Sequence, residues 1–430
     1  MDDTLQRWLE DALDARIVSI TRPTIGGSRE LYLVDVQSGD GRLLPVVVRC
    51  EAGSSFSGTE ISPAKEAIVY RALEGTGVPV PRVLASAPDG AAIVLERVPG
   101  DSDLDALDAR TRAATMASFA DALAALHSLD VDTLSLPGFA RPRTAEEHAR
   151  LDLELWSRLA ADDVTDLDPL IRYAGAWLWT NAASSVSRTA LVQGDTGPGN
   201  FLALDGAVTG IVDWEFAHLG DPMDDWAWVE MRTPAEEVPA LHARYARATG
   251  IAIDHDRVAY YRLAVDYRCA ITTSLAVSRG GGARGWAPYL LQTQRYLDGI
   301  AARLSAHLGI DEPDVDIPIS STDRAPYYDA LLDGVRVAVQ HLDDPEVRER
   351  TRNLQILVRY LRSFDESGRE LEALDRADRA ETFGDDPHFD DTIAAAGAAA
   401  DEPTLHYLLR RHARQRTLWA SLLDRPARPE

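Results

Sequence analysis

Residues 191–226 read LVQGDTGPGNFLALDGAVTGIVDWEFAHLGDPMDDW. Within that stretch Asp195 precedes Asn200, and Asp213 closes an apolar run. Residues 202–204 and 207–212 read as two short strands around Asp205-Gly206, a dipeptide that suits a two-residue hairpin turn because both positions tolerate positive φ. Pairing Leu204 with Ala207 sets Asn200 opposite Ile211. Strand alternation then places Asn200 and Asp213 on one face as diagonal neighbours. Asp195 follows another short apolar run, 190–192, and is expected at the same rim. An aspartate that can take a hydroxyl proton, beside an asparagine and a second aspartate offering oxygen to magnesium, is the set that phosphoryl transfer needs. Asp195 is therefore the catalytic candidate, and Asn200 and Asp213 are the Mg²⁺ candidates. Glu215 and Asp225 are candidates for a supporting role, Asp225 by accepting backbone hydrogen bonds from the loop.

Upstream, RIVSIT, LYLVDV and LLPVVVR predict a β-rich start. Gly26-Gly27-Ser28 lies between the first two strands, where two glycines let a backbone approach phosphates closely. No GxxxxGK[ST] occurs, so this is no P-loop. Ser62-Pro63 is a helix start, with serine as cap and proline in the first turn. That helix runs to about Leu73 and carries Glu66, while Arg49 ends the preceding strand. A cation on phosphate steadied by a helix carboxylate would complete a nucleotide clamp. VPVPRVLA reads as an extended link, 92–96 as a strand, and Val98-Pro99-Gly100 as its end. Beyond residue 101 helical periodicity takes over. One helix ends near Leu129 with His127 as a structural donor, and another core helix starts at Trp226, just after Asp225. Residues 280–286 read as a mobile connection. Residues 310–325 read as an acidic, proline-bearing linker, and 326–423 as all helix. In that last segment two apolar stripes stand out: Leu331, Val335, Val339 and Leu342, then Leu354, Leu357, Val358 and Leu361. The basic run LLRRHARQR is expected to dock on acidic groups of the same chain.

With 430 residues, two or three domains are expected. The net charge of −25, from 69 acidic and 44 basic residues, argues against a nucleic-acid partner and mildly favours a cationic small substrate. No apolar run is long enough for a membrane helix. The acidic start MDDTLQRWLE lacks a secretion signal's apolar core. Two cysteines are too few for a disulfide framework, so a cytoplasmic home is the simplest expectation.

The motif resembles that of the aminoglycoside phosphotransferase and choline kinase-like family of the protein-kinase-like fold. That family's catalytic loop reads HGDxxxxN, followed by DWE and GDPxxDL; here QGDTGPGN, VDWE and GDPMDDW stand in their places. The resemblance implies an α+β fold with a small β-rich N-lobe and a mostly helical C-lobe. It implies ATP or GTP as co-substrate with Mg²⁺. Arg49 stands where most relatives carry the nucleotide lysine, and Glu66 at the helix glutamate. LERVPG (95–100) resembles the inter-lobe hinge, which adds Glu96 and Val98 to the nucleotide-binding set. Gln193 replaces the motif histidine, whose role in the family is mainly architectural. Within the family the chain is most similar to the branch found with, or fused to, acyl-CoA dehydrogenases, which uses arginine at the Arg49 position and phosphorylates 4-hydroxyacyl-CoA thioesters. The C-terminal helices resemble a helper family encoded beside some of these kinases, so that part is expected to pack on the kinase part. The expected organisation is 1–99 as nucleotide lobe, 100–309 as C-lobe, 310–325 as linker and 326–430 as an all-α domain. The acceptor alcohol stays open between a CoA thioester and an aminoglycoside, choline-like or sugar hydroxyl, with a non-catalytic nucleotide-binding regulator as the rival of another class. Assembly as a homo-oligomer stays open too.

Overall fold

The computed structural model describes residues 1–23, 30–51, 56, 58–281, 285–315, 317 and 321–423. Gly26, Gly27 and Ser28 lie outside the described residues. The chain divides into two compact units, one of Met1–Leu151 with Ala183–Arg262, the other of Asp152–Ala182 with Leu263–Glu430.

The first unit opens with α1 (Asp3–Leu13), capped by the Asp2 carboxylate. Strands β1 (Ala15–Thr21), β2 (Glu30–Ser38) and β3 (Leu43–Cys50) follow, then α2 (Pro63–Leu73), β4 (Val83–Ser86) and β5 (Ala92–Glu96). They form one antiparallel sheet in the order β1-β2-β3-β5-β4. The expected link 78–85 thus ends in an edge strand. Tyr32, Val34, Val36, Val46, Val48, Cys50 and Val94 bury one face of the sheet, with Leu9 of α1 in the same cluster. Strand alternation puts Arg49 on the opposite face from Val48 and Cys50. Ser62 caps α2, its hydroxyl accepting from the Lys65 N–H at 3.3 Å.

Then come α3 (Ala109–Ser128), β6 (Ala190–Val192), β7 (Phe201–Leu204), β8 (Ala207–Ile211), β9 (His218–Gly220), α6 (Pro222–Arg232) and α7 (Val238–Thr249). Two of the three unit boundaries fall inside α4 (Glu147–Asp163) and α8 (His255–Ser278), and the third follows α5 (Pro169–Thr180). The β7–β8 hairpin turns at Asp205 and Gly206, with φ of 51° and 83°, as its dipeptide demands. Its register corrects one expectation. Leu204 faces Ala207, but Ile211 faces Phe201 and not Asn200, because a bulge leaves Thr209 unpaired. The Thr209 hydroxyl is drawn off to Pro99 O (2.5 Å) and Leu202 O (3.1 Å). Asn200 then lies level with Val212, whose N–H it accepts at 2.9 Å. A second correction concerns Asp225. The helix starts at Pro222, with Asp221 as cap, so Asp225 sits inside its first turn.

The second unit holds α5 (Pro169–Thr180) and α9 (Trp286–Leu308). To these it adds α10 (Ala325–Gln340), α11 (Pro345–Ser363), a π-helical turn (Phe364–Gly368), α12 (Arg369–Phe383), α13 (Phe389–Ala399), α14 (Glu402–Thr417) and α15 (Ala420–Leu423). α13 lies against α5 so closely that a Cβ on Gly397 would come within 2.3 Å of Tyr173 O. The basic run of α14 meets acidic groups of its own unit. Arg411 pairs with Asp168 at 2.7 Å, Arg414 with Asp378 at 2.9 Å, and His412 with Asp298 at 2.9 Å. The expected stripes are only partly packed: Val335, Val339, Leu342, Leu357 and Val358 are half-buried. No residue of α10 is buried and Leu331 is exposed. On α11 the packed side is Ile356 and Tyr360, joining Phe364, Trp419 and Leu422, while Leu354 and Leu361 are exposed. Tyr360 stacks on Trp419 with centroids 4.4 Å apart, an arrangement aromatic pairs favour.

Both cysteines are free and buried, in separate units. Burial pushes the Cys50 thiol up to about 12, where it is inert as a nucleophile.

Candidate phosphotransfer site

The loop after β6 is built on Asp225. This carboxylate is fully buried and accepts four hydrogen bonds. Oδ2 takes the Gln193 N–H at 3.0 Å and bonds His127 Nε2 at 2.9 Å; Oδ1 takes the Gly194 N–H at 3.0 Å and the Thr196 hydroxyl. His127 Nδ1 is bonded to the Tyr245 hydroxyl at 2.9 Å. A buried carboxylate is tolerated because each oxygen finds donors. The chain can make this turn only with glycine at 194. Its φ is 82°, and a Cβ there would lie 2.5 Å from Phe216 O.

Asp195 leaves that loop with its carboxylate mostly shielded. Arg232, in the last turn of α6, binds Asp195 twice: its guanidinium meets Oδ1 and also donates to the backbone O at 2.8 Å. The same guanidinium lies over the Trp228 ring, 4.8 Å from its centroid. Asn200 donates its Nδ2 to Asp195 O at 2.6 Å and to Asp195 Oδ2. Sequence reasoning missed Arg232. The available signal was its spacing of seven from Asp225, which puts both on one side of a helix.

Asp213 follows β8 with a left-handed φ of 62°, a conformation uncommon outside glycine. Gln193 holds it there, donating Nε2 to Val212 O at 2.7 Å and to Asp213 O at 3.1 Å. The Asp213 carboxylate meets Arg49 Nη2 at 2.8 Å, and Arg49 Nε lies 3.1 Å from Glu66 Oε2. Glu66 is fully buried and accepts from the Trp214 N–H at 3.3 Å and the Tyr70 hydroxyl at 3.2 Å. Burial alone would lower the Arg49 pKa, but the Asp213 and Glu66 carboxylates, with Glu215 as a smaller contributor, hold it well above its usual value. Burial, then the Glu66 charge, pushes the Tyr70 phenol up as well, so Tyr70 stays a neutral donor.

The structure therefore brings the sequence candidates into two linked groups: Asp195 with Asn200, and Asp213 with Arg49 and Glu66. The Val212 N–H to Asn200 O bond and the Gln193 side chain join them. Glu96 is turned to Arg82 at 2.8 Å. Val98 stands after β5, 3.0 Å from where a Cβ on Gly210 would be.

Residues 21–261 match the family model described as "Phosphotransferase enzyme family", and the chain belongs to that family. It is 28% identical over 178 residues to mouse acyl-CoA dehydrogenase family member 11, a match covering 39% of this chain and 22% of that protein. It thus spans about a fifth of that relative's length. An aminoglycoside 3'-phosphotransferase of Streptomyces fradiae is 28% identical over 203 residues, covering 44% of this chain and 72% of that enzyme. The choline kinase LicA of Streptococcus pneumoniae, solved with AMP, superposes with a TM-score of 0.52 at 17% identity, over 70% of this chain and 99% of that one. That likeness shows the kinase-like fold: a β-rich N-terminal sheet followed by a helical part. Among the described residues no helix is long and apolar enough to cross a membrane.

Proposed function

We propose that this chain is a Mg²⁺-dependent kinase that transfers the γ-phosphate of ATP to the hydroxyl of a hydroxyacyl-CoA thioester. The observation that carries the kinase reading is Asp195, clamped between Arg232 and Asn200 on a loop whose backbone Asp225 fixes. A carboxylate so fixed can orient an attacking hydroxyl and take its proton while ordering nothing new in the transition state. In the transfer, the phosphorus–oxygen bond to the nucleoside diphosphate breaks, the bond to the alcohol oxygen forms, and the alcohol proton passes to Asp195.

Asn200 and Asp213 fit a magnesium ion by their chemistry. Both offer oxygen, and Asn200 spends its Nδ2 on Asp195, which leaves its Oδ1 for a cation. The bound ion would neutralise phosphate charge. Arg49, held by Glu66, would present its remaining N–H groups to the nucleotide phosphates, where a guanidinium binds as a fork and not as a point charge. Gly26, Gly27 and Ser28 would cover the phosphates. The Val98 backbone, which bonds no described residue, would face the base beside Glu96. Gln193 takes the motif histidine's architectural role, and Glu215 adds negative charge behind Arg49.

The CoA thioester rests on the acyl-CoA dehydrogenase family members among the relatives and on arginine at position 49. A second reading, a cationic aminoglycoside-type alcohol, is favoured by the net charge of −25 and by the Streptomyces fradiae relative. ADP release measured with 4-hydroxyacyl-CoA, choline and aminoglycosides side by side separates the two. Turnover with the thioester alone supports the first, and turnover confined to the cationic alcohols overturns it.

A further inference from the structure

Three side chains able to ligate a metal, none of them among the nucleotide-site candidates, converge on one point. Glu230 lies near the C-terminal end of α6, His242 on α7, and His255 is the first residue of α8. One ligand atom from each lies within 4.8 Å of the other two. His242 Nε2 is 3.2 Å from Glu230 Oε1, yet this buried nitrogen has no hydrogen bond. The close approach is therefore misaligned for a shared proton, while a nitrogen and an oxygen sharing a cation need no such alignment. The His242 ring is fixed by the edge of fully buried Trp226, centroids 4.7 Å apart. The His255 ring stands 5.6 Å from it.

We propose that Glu230, His242 and His255 form a binding site for a first-row divalent cation of the zinc type, separate from the nucleotide site. Two imidazoles and one carboxylate suit zinc; magnesium prefers an all-oxygen set. Tetrahedral ligands at about 2.1 Å from zinc stand roughly 3.4 Å apart. Glu230 and His242 already have that spacing. His255, whose ligand atom lies within 4.8 Å of both, is exposed at a helix start and free to adjust. The fourth position is left to water. The three ligands come from three consecutive helices, so a bound ion would cross-link their ends, and metal affinity would appear as stability. A plain His242–Glu230 ion pair has no use for a second imidazole on the same point.

The test is Co²⁺ and Zn²⁺ titration of the chelator-stripped full chain in excess Mg²⁺, following cobalt d–d absorption and calorimetry. One equivalent with tetrahedral cobalt bands is expected, together with a rise in melting temperature. Outer partners of a metal ligand are worth about 10–100-fold in affinity; a ligand counts for no less, so His255→Ala weakens Zn²⁺ at least about tenfold with an unchanged far-UV spectrum. His242→Ala does the same if it folds. Asp213→Ala keeps the equivalent and its spectrum, which separates this site from the nucleotide site. Zinc binding that survives His255→Ala undiminished, or that vanishes in Asp213→Ala, overturns the proposal, as does a wild type that takes up no equivalent.

Discussion

Asp225→Asn is the sharpest probe of the loop, because it keeps the shape and removes the charge. The carboxylate takes four donors through two oxygens, and an amide keeps one oxygen. Where the new NH₂ replaces Oδ1, the Thr196 hydroxyl can turn and accept, but the Gly194 N–H is left facing a donor. Where it replaces Oδ2, His127 can change tautomer, but the Gln193 N–H is orphaned. Either way one buried backbone donor is lost, at about 1–3 kcal/mol, and the remaining bonds drop from charged to neutral strength, roughly 1 kcal/mol more. A loss of about 3 kcal/mol follows, or roughly 6–12 °C in melting temperature for a unit of this size. Turnover should fall with it, since the loop aims Asp195. Urea unfolding and calorimetry read the first effect, and ADP release the second. An Asp225→Asn protein within about 0.5 kcal/mol of wild type, the ordinary range of a neutral surface change, and with full turnover, refutes the reasoning.

Asp195→Ala should leave nucleotide affinity largely intact and cut transfer by at least about 10²–10⁴, the usual worth of a positioned base; calorimetry with a non-hydrolysable nucleotide and a turnover assay check both halves. Asp213→Ala should weaken Mg-nucleotide binding, and unchanged affinity by calorimetry would contradict its role. Gly194→Ala forces a Cβ to 2.5 Å from Phe216 O at a φ of 82°, so it should destabilise by more than about 1 kcal/mol in urea titration. In the second unit, burial would raise the Asp168 pKa, but the Arg411 partner outweighs it and holds the carboxyl below its usual value. A depressed acid stabilises fully above its unfolded pKa of about 4 and loses that contribution as pH falls through the folded value. Urea midpoints measured below pH 4 should therefore fall less steeply for Asp168→Asn than for wild type.

What could be read from sequence followed local rules. Asp205-Gly206 dictated its turn and Ser62-Pro63 its helix start. The Thr209 bulge was invisible because it depends on Pro99, over a hundred residues away, accepting the threonine hydroxyl. Asp225 was legible as a brace, but its four donors come from two segments far apart in sequence. Arg232 carried no motif, and only the helix period joins it to Asp225. The α10 and α11 stripes were only partly right, because apolar period marks a helix face without naming its partner. Tyr360 met Trp419, and of the α11 stripe Leu354 and Leu361 stayed exposed while Leu357 and Val358 are half-buried.

The most direct measurement of the central claim is a single-turnover experiment with γ-labelled ATP, Mg²⁺ and a panel of hydroxyacyl-CoA thioesters and small alcohols, comparing wild type with Asp195→Ala. The account predicts label on the acceptor oxygen for wild type and label retained on ATP for the variant. Equal transfer by both proteins, or no transfer to any alcohol by the wild type, would contradict it.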